Sequence, residues 1–203
     1  MAPSAWIVTL LAMALRIEQP HHYDPVGAVH RSAFGAEHGS TVAQLVDALR
    51  RDDPAALSLV SEEADEVVGH IMFSRALLDA PRQLVAVQSL SPFAVAPQWQ
   101  RRGIGSDLVR AGLRRLDERG IPLVFLEGDP GYYSRLGFSR AVENGFRKPS
   151  LRMPDEAFQV VKLSAYEPWM AGTFVYSDTF WAYDCVGLRE VTHSEMGVLS
   201  GTE

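Results

Sequence analysis

The segment Gln100–Ser106, with the sequence Gln-Arg-Arg-Gly-Ile-Gly-Ser, carries the clearest chemical pattern in the chain. It lies between a β-rich run that ends near Val95 and an amphipathic run with helical spacing. Glycines let a backbone turn sharply and approach a ligand closely, and the first amides of a helix have no acceptor within it. With Arg101 and Arg102 adding positive charge, the pattern predicts a phosphate or pyrophosphate site. A tight connection with solvated arginines is the alternative.

Two common phosphate motifs do not fit this segment. The loop lacks the final Gly-Lys-Ser/Thr of a P-loop, and Gly103-Ile104-Gly105-Ser106-Asp107-Leu108 lacks the third glycine of the dinucleotide fingerprint. The sequence therefore argues against ATP hydrolysis and against NAD chemistry.

Three motifs in one order resemble a known family. They are Leu90-Ser91-Pro92-Phe93-Ala94-Val95-Ala96-Pro97, then Gln100-x-x-Gly103-x-Gly105, then Gly128-Asp129-Pro130-Gly131-Tyr132-Tyr133-Ser134-Arg135-Leu136-Gly137-Phe138. In spacing and order they resemble the GNAT superfamily of acyl-CoA-dependent N-acetyltransferases, particularly its YhbS-like branch. The resemblance is sharp over about residues 67–140 and extends over 13–181.

The resemblance implies a binding site for acetyl-CoA as cosubstrate. In the family, backbone amides of the glycine loop hold the CoA pyrophosphate, and the pantetheine arm pairs with the preceding strand like an added strand. Proline is normally excluded from central strands except at edges or bulges, so Pro92 fits a break in pairing at that place. The implied cofactor-binding residues are Phe93, Ala94, Val95, Arg101, Arg102, Gly103, Ile104, Gly105 and Ser106.

The resemblance also implies acetyl transfer to a primary amine by direct attack. Tyr133 matches the family tyrosine that protonates the departing thiolate, and the amide of Val95 is the candidate to polarise the thioester carbonyl. Aromatic packing is the alternative role for Tyr133. Glu127 and Asp129 are both candidates for the base, as is a water relay, and Cys185 has no recognisable histidine partner for covalent catalysis. A noncatalytic acyl-CoA-binding or regulatory module is the alternative function.

Hydrophobic periodicity predicts the elements that carry these residues. Two helices, with apolar positions from Val26 to Phe34 and from Val42 to Leu49, follow a short strand at 15–18, and Gly39-Ser40-Thr41 is the candidate cap of the second. An acidic turn at 62–66 separates two hairpin strands. A strand at 85–95, a helix at about 103–119 and a strand at 123–126 form a βαβ unit.

These elements predict an α+β fold, a mixed central sheet with helices on both faces as in the GNAT fold. Residues 13–181 form the expected domain, preceded by an extension at 1–12 and followed by a tail at 182–203. The aromatic residues near the C-terminus can pack in the core, line an acceptor pocket or bury a homodimer contact. They are Trp169, Phe174, Tyr176, Phe180, Trp181 and Tyr183.

Composition excludes several classes of function. The 203 residues are 47% hydrophobic, as expected for a globular chain, and a formal net charge of −6 gives no general attraction to nucleic acid or anionic membranes. The apolar run at 5–15 is too short to span a bilayer. One cysteine favours a cytoplasmic location, and adjacent His21 and His22 lack metal-ligand spacing, so no metal is expected. The expected partner is a small-molecule or peptide amine.

Overall fold

The computed structural model describes residues 14–187. The predicted extension at 1–12 and the last part of the predicted tail, 188–203, lie outside the described residues. Over the described range, no helix combines the length and the hydropathy needed to cross a membrane. The strands are β1 Ala14–Ile17, β2 Leu57–Glu63, β3 Glu66–Asp79, β4 Leu84–Val95, β5 Leu123–Glu127, β6 Ser139–Arg140, β7 Phe158–Lys162 and β8 Thr173–Val175. The helices are α1 Tyr23–Asp52, α2 Ile104–Glu118, α3 Pro130–Tyr133 and α4 Asp178–Ala182, with 3-10 turns at Pro20–His22, Pro97–Trp99, Ser134–Leu136 and Val142–Asn144.

The strands form one eight-stranded sheet in the order β1-β2-β3-β4-β5-β7-β6, with β8 paired to β3. The pairs β1–β2, β2–β3, β3–β8, β5–β7 and β6–β7 are antiparallel. Strands β4 and β5 run parallel, with Gln88 opposite Val124 and Ser89 opposite Phe125. The parallel pair is the one that the predicted βαβ unit requires, since α2 connects its two strands. The predicted α+β fold with a mixed sheet is confirmed.

The chain divides into two compact units. The first comprises the described residues up to Ser74 together with Leu90–Arg119, and the second comprises Arg75–Ser89 together with the described residues from Gly120 onward. Strands β3 and β4 each contribute residues to both units. The predicted domain limits, 13–181, stay a prediction.

Helix α1 comprises the two helices that the sequence predicted, joined across a kink at Gly35. Gly35, with φ 73° and ψ −174°, interrupts the helical backbone and separates an N-terminal half from a C-terminal half. The cap predicted at Gly39–Thr41 is wrong, because helical backbone resumes directly after Gly35. A Cβ at Gly39 would lie 2.7 Å from the backbone of Arg31, so glycine is needed where the two halves approach each other.

Helix α2 packs on β3 within the first unit. Its buried face consists of Ile104, Leu108, Val109, Ala111, Gly112 and Leu116, as the periodicity predicted. A Cβ at Gly112 would lie 2.1 Å from the ring of Phe73, which shows how closely the helix approaches the sheet. Gly69 of β3 faces Leu108, whereas the next residue, His70, contacts His30 of α1. Successive residues of a strand point to opposite faces, so α1 and α2 cover opposite faces here.

The core of the second unit is aromatic. The ring of Phe125 on β5 lies 4.6 to 5.6 Å from the rings of Phe146, Phe158 and Phe174. Tyr176 and Phe180 continue this stack and are also buried, so core packing accounts for three of the six C-terminal aromatics.

The first residues of the predicted C-terminal tail pack against the rest of the second unit. Val186 is fully buried, and the N–H of Gly187 donates to the Glu127 carboxylate at 3.0 Å. The chain therefore remains packed to the end of the described residues because one apolar side chain and one backbone bond anchor it.

Candidate active site

The backbone of the glycine loop is shaped to receive an anion. Arg101 and Gly103 both have positive φ, 61° and 89°, on either side of Arg102. Such alternation turns successive amides toward a common concavity. Gly103 is the N-cap of α2 and provides no side-chain cap, so the first amides of the helix have no intrahelical acceptor. The loop thus combines free backbone donors with the positive end of the helix dipole.

Two side chains support this loop. The Gln100 amide donates to the carbonyl of Val95 at 3.0 Å and closes the turn between β4 and α2. The Arg102 guanidinium lies over the ring of Trp99, 4.6 Å from its centroid, and both loop arginines remain exposed. A cation–π contact restricts a long side chain without removing its charge. Arg102 is therefore an oriented positive group beside the turn.

Strand β4 reaches this loop through the predicted pantetheine-binding residues. Ala94 is buried at 4% exposure, whereas Phe93 and Val95 on either side of it are partly exposed. Pro92 lies in the same strand. The parallel ladder with β5 holds only the pairs at Gln88 and Ser89 and ends before the proline. A short ladder is what proline, which lacks an N–H donor, predicts.

Tyr133 ends helix α3 and lies against the end of β5 in the second unit. A Cβ on Gly128 would come within 2.5 Å of the Tyr133 ring, so the glycine makes room for the aromatic ring. Rings of Tyr132 and Phe138 pack edge-on against it at 4.9 and 5.7 Å. Burial raises the pKa of the Tyr133 phenol well above its usual value, with smaller effects from Tyr132 and Asp129. The phenol is therefore a protonated donor at neutral pH.

The structure separates the two candidate bases. Asp129 caps α3 by accepting the N–H of Gly131 at 2.8 Å. Glu127 accepts the N–H of Gly187 through Oε2 at 3.0 Å. Burial raises the pKa of the Glu127 carboxyl, and the Gly187 N–H and Arg152 partly oppose that shift. Asp129 has a structural role, whereas Glu127 is a desolvated carboxylate at a strand end.

The family of the chain is decided by comparison with known proteins. Residues 15–141, more than half of the chain, match the family model described as "Acetyltransferase (GNAT) domain". The chain belongs to the GNAT acetyltransferase family. It is an acyltransferase, and the resemblance seen in its three motifs is confirmed.

Relatives of this GNAT acetyltransferase include a curated protein and solved structures. The chain is 37% identical over 124 residues to the uncharacterized N-acetyltransferase YjhQ of Escherichia coli K12, covering 60% of this chain and 67% of that one. It is similar to the structure of YhbS from Escherichia coli in complex with CoA, with a TM-score of 0.74 and 28% identity, covering 89% of this chain and 94% of that one. It is also similar to a GNAT acetyltransferase from Brucella melitensis in complex with acetyl-CoA, with a TM-score of 0.67 and 32% identity, covering 84% of this chain and 99% of that one.

One cluster in this acetyltransferase was not visible in the sequence. Ligand atoms of His21, His22 and Glu62 lie within 4.8 Å of one another in the described part of the chain. Nδ1 of His22 accepts the N–H of Gln19 at 2.9 Å, so the neutral ring carries its proton on Nε2, 3.2 Å from Glu62. A metal-bound histidine instead donates from its second nitrogen to an acceptor. Arg16 holds the other oxygen of Glu62 at 2.6 Å, so the cluster is organised as a hydrogen-bonded ion pair.

Cys185 of this acetyltransferase is not an activated nucleophile. Burial raises the pKa of the Cys185 thiol, and Asp184 raises it further. Its Sγ lies 3.4 Å from the carbonyl of Tyr183. Because the thiolate is the nucleophilic form, these surroundings oppose a covalent acyl-enzyme at this residue.

Proposed function

We propose that the protein transfers an acetyl group from acetyl-CoA to a primary amine by direct attack in a ternary complex. The observation that carries this proposal is the anion-receiving backbone of Arg101–Gly103 at the start of α2. The CoA and acetyl-CoA complexes of two similar structures support the same cosubstrate. The raised pKa of the Cys185 thiol supports direct attack over a ping-pong scheme.

The glycine loop and the end of β4 bind the donor in this proposal. Backbone amides of Arg101–Ser106 hold the pyrophosphate, and the two loop arginines supply countercharge. The backbone of Phe93–Val95 pairs with the pantetheine arm, and the amide of Val95 polarises the thioester carbonyl. An amide donor placed where negative charge develops stabilises the tetrahedral intermediate without needing a titratable group.

Tyr133 and Glu127 carry the proton chemistry in this proposal. Tyr133 donates to the sulfur as the intermediate collapses, either transferring its proton or anchoring the thiolate by a hydrogen bond. Glu127 acts as the base that takes the proton from the incoming ammonium. A carboxylate whose pKa is raised by burial holds a proton better than an exposed one, and the bond from Gly187 to Glu127 uses Oε2.

Replacing Glu127 tests the base. We expect Glu127→Gln to lower kcat about 10- to 100-fold because the amide cannot accept the proton. The raised pKa of Glu127 predicts that wild-type activity falls as pH drops through that value, and Glu127→Gln loses this limb. The pH profile of kcat is measured with two amines of different pKa. A limb that stays at the same pH with both amines reports a group of the enzyme and not the amine.

Asp129→Asn is the matched control for that experiment. Its side-chain oxygen still accepts the Gly131 N–H, so kcat and the acid limb should stay close to wild type. A normal acid limb in Glu127→Gln would remove this residue from the mechanism and leave a water relay.

The acceptor is proposed as a small-molecule or peptide amine, and the reaction as one without a metal. Among residues 14–187, His21, His22 and Glu62 form the cluster with ligand-like spacing, and Nδ1 of His22 accepts a backbone N–H there, which supports a reaction without a metal. A cytoplasmic location and a homodimer remain proposals; Trp181, at 41% exposure, is the aromatic residue that a dimer contact would bury.

Acceptor-dependent release of CoA thiol tests the proposed function. Purified protein with saturating acetyl-CoA is given small amines, polyamines and peptides with free N-termini or lysines. We expect one class to accelerate thiol release and to yield an acetylated amine by mass spectrometry. Acetyl-CoA binding without acceleration by any amine class would instead favour the noncatalytic acyl-CoA-binding module.

A further inference from the structure

A continuous chain of hydrogen bonds runs through the interior of the first unit from Glu18 to His30. Nε2 of His30 lies 2.8 Å from Nδ1 of His70. Nε2 of His70 lies 2.8 Å from the hydroxyl of Ser58, which donates to Glu18 Oε2 at 2.7 Å. Both imidazoles are fully buried. The two imidazoles are therefore shielded from solvent, whereas Ser58 and Glu18 form the partly buried end of the hydrogen-bond chain.

The bonding order fixes the tautomer of each ring. Ser58 has one proton, which goes to Glu18, so its oxygen accepts from Nε2–H of His70. Nδ1 of His70 is then unprotonated and accepts from Nε2–H of His30. Nδ1 of His30 has no hydrogen-bond partner among the described residues. Both rings are neutral, and every proton of the chain points toward the carboxylate.

The negative charge at the end of the chain is already balanced. Arg50 donates to both oxygens of Glu18, through Nε to Oε2 at 3.1 Å and through Nη2 to Oε1. Glu18 and Arg50 are 4% and 10% exposed. Arg50 also donates to Asp47. Nε2 of His70 lies 3.7 Å from Oε1 of Glu18, but that carboxylate is already paired with Arg50. A proton added to either imidazole would therefore be a buried positive charge beside a carboxylate that already has a cationic partner.

The pKa values agree with this charge balance. Burial, followed by the charge of Arg50, lowers the pKa of His70 to about 3. Burial, followed by His70 and Arg50, lowers the pKa of His30, and Glu18 opposes this shift. These are the titratable and charged groups that face the pair, from α1, β3 and the segment after β1, while β2 contributes the neutral Ser58.

The hydrogen-bond chain also connects both halves of α1 to the sheet. His30 belongs to the half of α1 before Gly35, and Arg50 belongs to the half after it. Their partners come from the sheet side: Ser58 on β2 and His70 on β3. Because Gly35 interrupts the helix, the N-terminal half can leave the sheet without unwinding the other half.

We propose that this chain is an acid-sensitive latch: protonation of the buried imidazoles releases the N-terminal half of α1 from the sheet at mildly acidic pH. The released half also forms a wall, with Pro25, Ala28 and Val29, of a cavity of about 470 Å³ in the first unit. Opening the latch therefore reshapes this cavity. The proton is the ligand that drives the change, because it binds the open state better than the closed one.

Hydrogen exchange of the whole chain at pH 7.5 and 5.5 tests the latch. In the open state each imidazole regains its ordinary pKa of about 6.5, whereas in the closed state it stays neutral. Stability of the closed state is thus present above about pH 6.5 and lost as pH falls. After correction for intrinsic rates, opening of residues 23–34 should increase about tenfold for each histidine, about 100-fold in all. Amides of α2 should change much less.

Substitutions test whether the pH-dependent opening of residues 23–34 depends on the hydrogen-bond chain. His70→Gln can still donate to Ser58 but does not titrate, so it should reduce the response of residues 23–34 from about 100-fold to about tenfold. His38→Gln replaces an exposed histidine of α1 that lies after Gly35 and outside the hydrogen-bond chain, so it should leave the response of residues 23–34 intact. A pH-independent opening in the wild type, or a response lost in His38→Gln, would overturn the proposal.

A measurement on the wild type tests the hydrogen-bond order even where a variant fails to fold. Nitrogen chemical shifts at pH 7.5 should place the proton of His30 and of His70 on Nε2, with Nδ1 unprotonated. Protonated rings at this pH, or the opposite tautomers, would contradict the hydrogen-bond order on which the latch depends.

Discussion

Tyr133→Phe should lower kcat about 100-fold or more while leaving the affinity for acetyl-CoA within about twofold. The substitution removes only the hydroxyl. The phenylalanine ring keeps the packing against Gly128, Tyr132 and Phe138. Because the hydroxyl is needed when the thiolate departs, its loss affects the transition state more than the bound donor. Steady-state thiol release and calorimetric binding of acetyl-CoA measure the two quantities.

Tyr132→Phe is the matched control, since it removes the neighbouring hydroxyl from the same helix. Its kcat should stay close to that of the wild type, and both variants should have similar melting temperatures. Equal kcat values for wild type and Tyr133→Phe would assign Tyr133 to aromatic packing alone.

Gly103→Ala should weaken acetyl-CoA binding about tenfold, a loss of about 1.4 kcal/mol. The added Cβ meets no protein atom within 4 Å, so the variant does not clash with its own chain. It does disfavour the backbone at φ 89°, which turns the amides of the loop toward the anion. It also occupies space where the pyrophosphate would approach the backbone.

Gly120→Ala is the control that separates the loss of stability caused by backbone strain from the loss of acetyl-CoA affinity. Gly120 lies just beyond the other end of α2, with φ 72° and likewise no atom within 4 Å of an added Cβ. Both variants should lose about 1–2 kcal/mol of stability from the left-handed backbone. Only Gly103→Ala should bind acetyl-CoA more weakly. Equal affinities of the wild type and Gly103→Ala for acetyl-CoA would show that the loop does not contact the pyrophosphate.

The sequence predicted the elements that depend on local patterns. The amphipathic helix α2 and the parallel strands around it follow from apolar spacing. The same holds for the hairpin of β2 and β3. The glycine loop was identified from residue types alone, because glycine positions report where a backbone turns.

Other features depend on contacts between distant residues. Gly35 is one of several glycines in its region, and nothing in its neighbours predicts that it breaks α1 while Gly39 allows the two halves to approach each other. His70 lies on β3, one of the two strands of the predicted hairpin, but its bond to His30 joins positions that are 40 residues apart.

The packing of residues 186–187 and the roles of the two candidate bases were also not predictable from the sequence. Val186 and Gly187 follow the aromatic segment with no strong periodicity, so the contact of Gly187 with Glu127 was not predictable. Asp129 and Glu127 are equivalent as carboxylates in the sequence. Only the bond from Gly131 to Asp129 separates a helix cap from a candidate base.

The central claim is that this chain binds and uses acetyl-CoA. The most direct test is the melting temperature of the purified protein with and without saturating acetyl-CoA, with ATP and NADH as controls. At 100 times its dissociation constant, acetyl-CoA should stabilise the native state by about 2.7 kcal/mol and raise the melting temperature by roughly 5–10 °C. A folded sample with no shift, or with equal shifts for ATP and NADH, would contradict the assigned cosubstrate.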